Sequence, residues 1–126
     1  MNVVDSSAWI EYLAEGSSAQ FFASAIEQPA KLVVPTVVLY EVFKKVHQER
    51  GESAALTVAA LLQQGRVVDL TAPLALAAAN VSAVTKLPMA DSIIYATARA
   101  FAATLWTQDA DFKDLPGVRY RAASRR

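Results

Sequence analysis

Four short apolar runs, Asn2–Asp5, Lys31–Val34, Arg66–Leu70 and Thr104–Thr107, punctuate the chain without alternating apolar and polar residues. A strand that is apolar on both faces has to be covered on both faces, which is the condition of strands in a parallel sheet. A fifth run, Val118–Arg121, is a candidate for one more strand. Between the runs lie stretches with helical spacing. Trp9, Tyr12 and Leu13 share one helical face, and Gly16 ends that helix. A second helix is expected from a cap at Ser17 or Ser18 to about Gln28, where Pro29 stops it. Further helices are expected from a Thr36 N-cap to Arg50, from Glu52 to Gln64, from a Thr71 cap to Thr85, and from Ala90 to Ala103. Strands each followed by a helix predict the α/β class, with right-handed crossovers and a ligand site at the carboxyl ends of the strands.

The chain has 126 residues, enough for one domain. By area scaling, roughly two-thirds of its surface is buried on folding. With no cysteine, there is no disulfide framework, no thiolate zinc site and no thiol nucleophile. The single histidine, His47, excludes chemistry that needs two imidazoles, and it reads as an exposed helix residue. A serine hydrolase using Ser6 or Ser7 would need a glycine-rich elbow, which is absent. The four glycines are too scattered for a phosphate-cradling loop.

The longest stretch without a charge, Leu70 to Thr85, is too short to span a bilayer. The first charges met are Asp5, Glu11 and Glu15, the opposite of a secretory signal, so a cytoplasmic protein is expected. Twelve basic residues balance twelve acidic ones, so net charge favours neither a nucleic-acid nor a membrane partner. The basic residues do gather at the end, where Lys113, Arg119, Arg121, Arg125 and Arg126 face Asp114 alone. The aromatic residues Trp9, Tyr12, Phe21 and Phe22 read as core, with a partner groove as the alternative.

Four acids fall where one rim of the sheet would gather them. Asp5 closes the first strand and Asp109 lies two residues beyond the fourth. Glu41 is in the helix after the second strand, and Asp91 is in the first turn of the helix before the fourth. Each has a local explanation: Asp5 and Asp109 as caps, Asp91 as a helix-terminal charge, Glu41 as an i,i+4 partner of Lys45. Jointly they point elsewhere. Clustered carboxylates cannot all ionise without a cation, and an oxygen-only donor set suits Mg²⁺ or Mn²⁺. The chemistry implied is metal-assisted phosphodiester hydrolysis.

Four segments, VVDSSAWIEYL, PTVVLYEVFKKV, LPMADSIIYATAR and LWTQDADF, stand in the order and spacing of PIN-domain ribonucleases. Over essentially its whole length the chain resembles that family, and in particular the toxin of a VapBC-type toxin–antitoxin pair. The resemblance implies a PIN-like three-layer α/β/α sandwich with a central, mostly parallel sheet of four to five strands, one domain over residues 1–126. Carried over position by position, it makes Asp5, Glu41, Asp91 and Asp109 the acidic quartet. Ser7 and Thr107 match the hydroxyl positions beside it, and Asp111 is a more peripheral match. It further implies Mg²⁺- or Mn²⁺-dependent cleavage of RNA and a cognate antitoxin that occupies the site.

On this reading Asp5, Asp91 and Asp109 hold the metal, while Glu41 ligates a second ion or orients the attacking water. Gln108 and Ala110 stand where many relatives carry basic residues. RNA contact is therefore expected from Lys44, Lys45, Arg119, Arg121 and the last two arginines. Apolar helices make a homodimer an expectation as well. Two other readings stay open: a phosphatase or phosphotransfer domain using Asp5 as covalent acceptor, and a non-catalytic scaffold of the same fold.

Overall fold

In a computed structural model that describes residues 1–123, five strands form one sheet between helices. Arg125 and Arg126 lie outside the described residues. In chain order the elements are β1 (Asn2–Val4), α1 (Ser6–Leu13), α2 (Ala19–Ile26), β2 (Leu32–Pro35), α3 (Thr36–Arg50) and α4 (Glu52–Leu62). They continue with β3 (Arg66–Val68), α5 (Ala72–Thr85), α6 (Met89–Ala100), β4 (Thr104–Thr107) and β5 (Val118–Tyr120). Single 3-10 turns occupy Pro29–Lys31 and Ala110–Phe112.

Every strand pair is parallel, and the order across the sheet is β3-β2-β1-β4-β5. The chain steps outward from β1 to β3, then returns through α5 and α6 to place β4 on the other side of β1. The direction of winding reverses between β1 and β4. In open α/β sheets that reversal leaves a crevice outside the carboxyl ends of the two strands. Right-handed crossovers put α1 to α4 on one face and α5 and α6 on the other. Accordingly α1 packs on β4 and α2 on β1, while α6 packs across β1, β2 and β4.

The central strands are the buried ones: Val3, Val4, Leu32, Val33, Val34 and Leu105 are all at most 2% exposed. The outer strands differ from their apolar reading. Arg66 and Val67 of β3 and Arg119 of β5 are exposed. An edge strand has one neighbour only, and the flanking helices converge on the middle of the sheet.

Several boundaries follow from local chemistry. Thr71 caps α5 as expected, its hydroxyl accepting from the Leu74 N–H. Thr36 does not cap α3: it is the first helical residue, and Pro35, the last residue of β2, takes the cap position in extended conformation. The chain passes from strand to helix with no residue between them, which leaves Thr36 inside. Helix α6 ends at Ala100, earlier than its apolar pattern suggests. Ala102 turns left-handed at φ 50° and the Ala103 N–H reaches the Ala98 carbonyl, closing a Schellman-type end. At the other end of α6, Lys86 is also left-handed, and Pro88 starts the helix so that Asp91 sits in its first turn. Among the described residues no helix is long and apolar enough to cross a membrane.

Candidate metal centre

Asp5 is the first residue after β1 and the N-cap of α1. It is 3% exposed. Its Oδ1 accepts from the Ser7 hydroxyl at 2.8 Å and the Ala8 N–H at 3.0 Å. Its Oδ2 accepts from the Thr107 hydroxyl at 2.6 Å and keeps a lone pair for one further interaction. Burial pushes the Asp5 carboxyl up from its ordinary 3.8 to about 6; the bonds from Thr107, Ala8 and Ser7 pull it down, and the charge of Asp109 adds to the rise. With both oxygens engaged in a closed setting, Asp5 is poorly placed to attack phosphorus itself.

Thr107 joins the two central strands chemically. It is fully buried at the end of β4, and its hydroxyl oxygen also accepts from the Asp109 N–H at 2.8 Å. That bond turns the chain so that Asp109 caps the following 3-10 turn, its Oδ1 accepting from the Asp111 N–H at 2.9 Å. One hydroxyl therefore holds both Asp5 and the loop that carries Asp109 and Asp111.

Asp91 enters from α6. Oxygens of Asp91, Asp109 and Asp111 lie within 4.8 Å of one another. Burial, then the charges of Asp109, Asp5, Glu41 and Asp111 in that order, push the Asp91 carboxyl from 3.8 up to about 7. Asp109, Asp5, Glu41 and Asp111 thus all raise the Asp91 carboxyl through their charge, while only Asp109 and Asp111 share its 4.8 Å group. The residues fit a hard divalent cation: the donors are all carboxylate oxygens, and carboxylates this close disfavour one another's charge unless positive charge is supplied.

Glu41 does not pair with Lys45, which instead meets Glu49 at 3.1 Å on the surface. The Oε1 of Glu41 accepts from the Ser6 hydroxyl at 2.6 Å, across 35 positions of sequence. Ser6, Ser7, Ile10, Glu41, Lys45 and Gln108 line an open groove of about 400 Å³ beside the carboxylates. The Gln108 amide donates to the Ser7 carbonyl at 3.4 Å, and its Oε1 is buried without a partner among the described residues.

The structure groups Asp91 and Asp109 with Asp111; Asp5, held by Ser7 and Thr107, and Glu41, held by Ser6, lie outside that 4.8 Å group, and Lys45 lines the groove that contains Glu41. It draws Asp111, which reads as peripheral in sequence, into the tightest carboxylate group. It separates Lys44, whose ammonium lies 5.9 Å above the exposed ring of Tyr40 in a different groove, between α3 and α4. Arg119 and Arg121 stack on aromatic rings at the edge of the sheet. His47 is exposed, as read. Sequence reasoning missed Ser6 as the partner of Glu41; the only signal was a hydroxyl pair directly after a strand-ending aspartate.

Residues 3–118 match the family model of the PIN domain. No curated protein matches the chain in sequence. Among solved structures it is similar to a toxin–antitoxin complex from Klebsiella pneumoniae, at 20% identity and TM-score 0.80 over 94% of this chain and 96% of that one. It is also similar to Mycobacterium tuberculosis VapC20, a sarcin–ricin-loop-cleaving toxin, at 22% identity and TM-score 0.77 over 94% and 97%. A third is VapBC2 from Rickettsia felis bound to a promoter DNA fragment, at 15% identity and TM-score 0.72 over 96% and 97%. At these identities the likeness is one of fold.

Proposed function

The chain belongs to the PIN-domain family, and from that premise we propose that it is a metal-dependent endoribonuclease, the toxin of a toxin–antitoxin module. The observation that carries this reading is the grouping of Asp91, Asp109 and Asp111 oxygens within 4.8 Å of one another, in a chain with no cysteine and one histidine. Residues 1–126 act as one domain in the cytoplasm.

Asp91, Asp109 and Asp111, with the free lone pair of Asp5 Oδ2, would hold Mg²⁺ or Mn²⁺. When bound, such an ion supplies Lewis-acid stabilisation of the charge that develops on the phosphate oxygens. The protein's own groups do the remaining work. Thr107 fixes Asp5 and the Asp109 loop in mutual register. Ser6 holds Glu41 by Oε1, which leaves Oε2 to accept a proton from a water attacking in line. Lys45 stands at the groove edge to meet a substrate phosphate. RNA is the substrate class by analogy with VapC20, a sarcin–ricin-loop-cleaving toxin of the same fold.

A cognate antitoxin is the natural partner, given that similar structures are toxin–antitoxin complexes. A second copy of the chain is proposed on α5. That helix carries no charged residue, and Leu76 and Val84 on it are 71% and 83% exposed. The test is cleavage of single-stranded or loop RNA by purified, partner-free protein. Activity with Mg²⁺ or Mn²⁺, abolished by EDTA and by Asp91→Asn, is expected. Cutting that persists undiminished in chelator would sink the reading.

A further inference from the structure

Two guanidinium groups at the edge of the sheet have no charged partner among the described residues. Arg119 and Arg121 alternate along and just beyond β5, so both project to the same face. The Arg121 guanidinium lies 4.2 Å from the ring centre of Phe21. That of Arg119 lies 4.5 Å from the Trp106 ring and 5.5 Å from Phe21. The rings brace each other: Phe21 meets Trp106 at 5.2 Å and Phe22 at 5.1 Å, and the Trp106 indole N–H is tied to Asn2 Oδ1. Both arginines are exposed, and among the described residues neither guanidinium donates a hydrogen bond or meets a carboxylate.

A surface arginine usually keeps many rotamers. Here each guanidinium lies over an aromatic ring, which limits that freedom, while both residues remain exposed. The location matters as much. The Arg121 backbone N–H donates to the Thr107 carbonyl at 3.0 Å. Thr107 is the residue whose hydroxyl holds Asp5 and the Asp109 loop, so the arginine pair is anchored one strand from the carboxylates. Those carboxylates repel a polyphosphate chain, and unpaired cations beside them offset that repulsion.

We propose that Phe21, Trp106, Arg119 and Arg121 form a stacking platform for an unpaired nucleobase of an RNA strand running into the metal centre. The open face of the guanidinium takes the base and its N–H edge takes the adjoining phosphate. Arginine planes serve single-stranded RNA in this way because every base has a π-face, so the platform sets position without reading sequence. This inference rests on the ribonuclease reading for its substrate and is separable from it by experiment.

The test is binding in EDTA, where no cleavage competes. The probes are a fluorescein-labelled 12-nucleotide oligouridine and a 12-unit ribose-phosphate chain without bases, followed by anisotropy. Arg121→Lys keeps the charge and removes the plane. It should weaken oligouridine binding about tenfold, the scale of one stacked base. It should leave the salt slope and the affinity for the abasic chain unchanged. Arg119→Lys is the second variant, and unchanged melting of both establishes that they fold. Full retention of oligouridine affinity in both lysine variants overturns the platform. So does an equal loss on both probes, a wild type that binds neither, or equally tight, arginine-dependent binding of a 12-residue polyglutamate. Cleavage with Mg²⁺ or Mn²⁺ is scored separately. Its absence alongside the expected binding pattern removes the nuclease reading and leaves the platform standing.

Discussion

Replacing Asp91 by Asn should stabilise the protein in chelator and destabilise it relative to wild type in Mg²⁺. Without a cation, the folded state holds the Asp91 carboxyl at about 7 against 3.8 when free, chiefly through burial and then Asp109. A group raised in this way favours folding fully only below about pH 4, and that contribution is lost as pH rises through about 7. The shift of about 3 units corresponds to ~4 kcal/mol at full strength. Asp91 is partly exposed, and solvent screening reduces the figure to ~1–2 kcal/mol. Asn keeps the shape and removes the charge, and it forgoes about 0.3–1 kcal/mol of helix-dipole stabilisation at the start of α6.

The net expectation at pH 8 in EDTA is a gain of about 1 kcal/mol, a rise in Tm of roughly 3–5 °C for a chain of this size. At pH 4 the gain should vanish. Mg²⁺ at a hundredfold excess over Kd should stabilise wild type by about 2.7 kcal/mol and the variant by much less. The order of the two melting temperatures therefore reverses on adding metal. Differential scanning fluorimetry at pH 4 and 8, with EDTA or Mg²⁺, reads all four corners. A variant that melts below wild type in EDTA at pH 8 and responds normally to Mg²⁺ refutes the reasoning and takes Asp91 out of the site.

Wild type in EDTA should itself melt lower at pH 8 than at pH 5. The Asp5 and Asp91 carboxyls are raised to about 6 and about 7, so the folded state holds more protons than the unfolded one in that window; a higher Tm at pH 8 contradicts this. Thr107→Val leaves the shape and removes the hydroxyl shared by Asp5 and the Asp109 N–H; it should cost about 1–3 kcal/mol and abolish RNA cleavage, with Thr107→Ser restoring most of both. Ser6→Ala releases Glu41 and should lower kcat roughly 10–100-fold with little change in KM; an unchanged kcat dismisses Glu41 as the base. Val84→Glu on the charge-free face of α5 should shift a dimer to monomer in sedimentation while altering monomer stability by no more than about 0.5 kcal/mol, and an undisturbed dimer moves that interface elsewhere.

Much of the local structure is legible in the sequence, though the Thr36 cap and the end of α6 are not. Apolar runs without alternation are the parallel strands; in β1, β2 and β4 this is because a run buried on both faces is recorded in adjacent residues. Caps and breakers at Asp5, Gly51, Thr71 and Pro88 marked helix ends, because their partners lie within four positions. The placement of Asp5 and Asp109 just beyond β1 and β4 is legible for the same reason: a residue that follows a strand lies at its carboxyl rim. The tertiary structure alone decided which rims coincide. Strand order places β1 beside β4, and only that adjacency lets the Thr107 hydroxyl reach Asp5 across 102 positions.

The same holds for Ser6 and Glu41, for Asp111 drawn in beside Asp91, and for Arg121 on Phe21. Each is a contact between elements whose separation in sequence carries no periodic signal. The local alternative for Glu41, an ion pair with Lys45, does not form because an i,i+4 ion pair on a surface is worth only a few tenths of a kcal/mol. A short, half-buried bond from a hydroxyl on a neighbouring helix outweighs it. Sequence set which side chains were available at the ends of the elements. Crossover handedness and the packing of helices on both faces of the sheet set which of those ends meet.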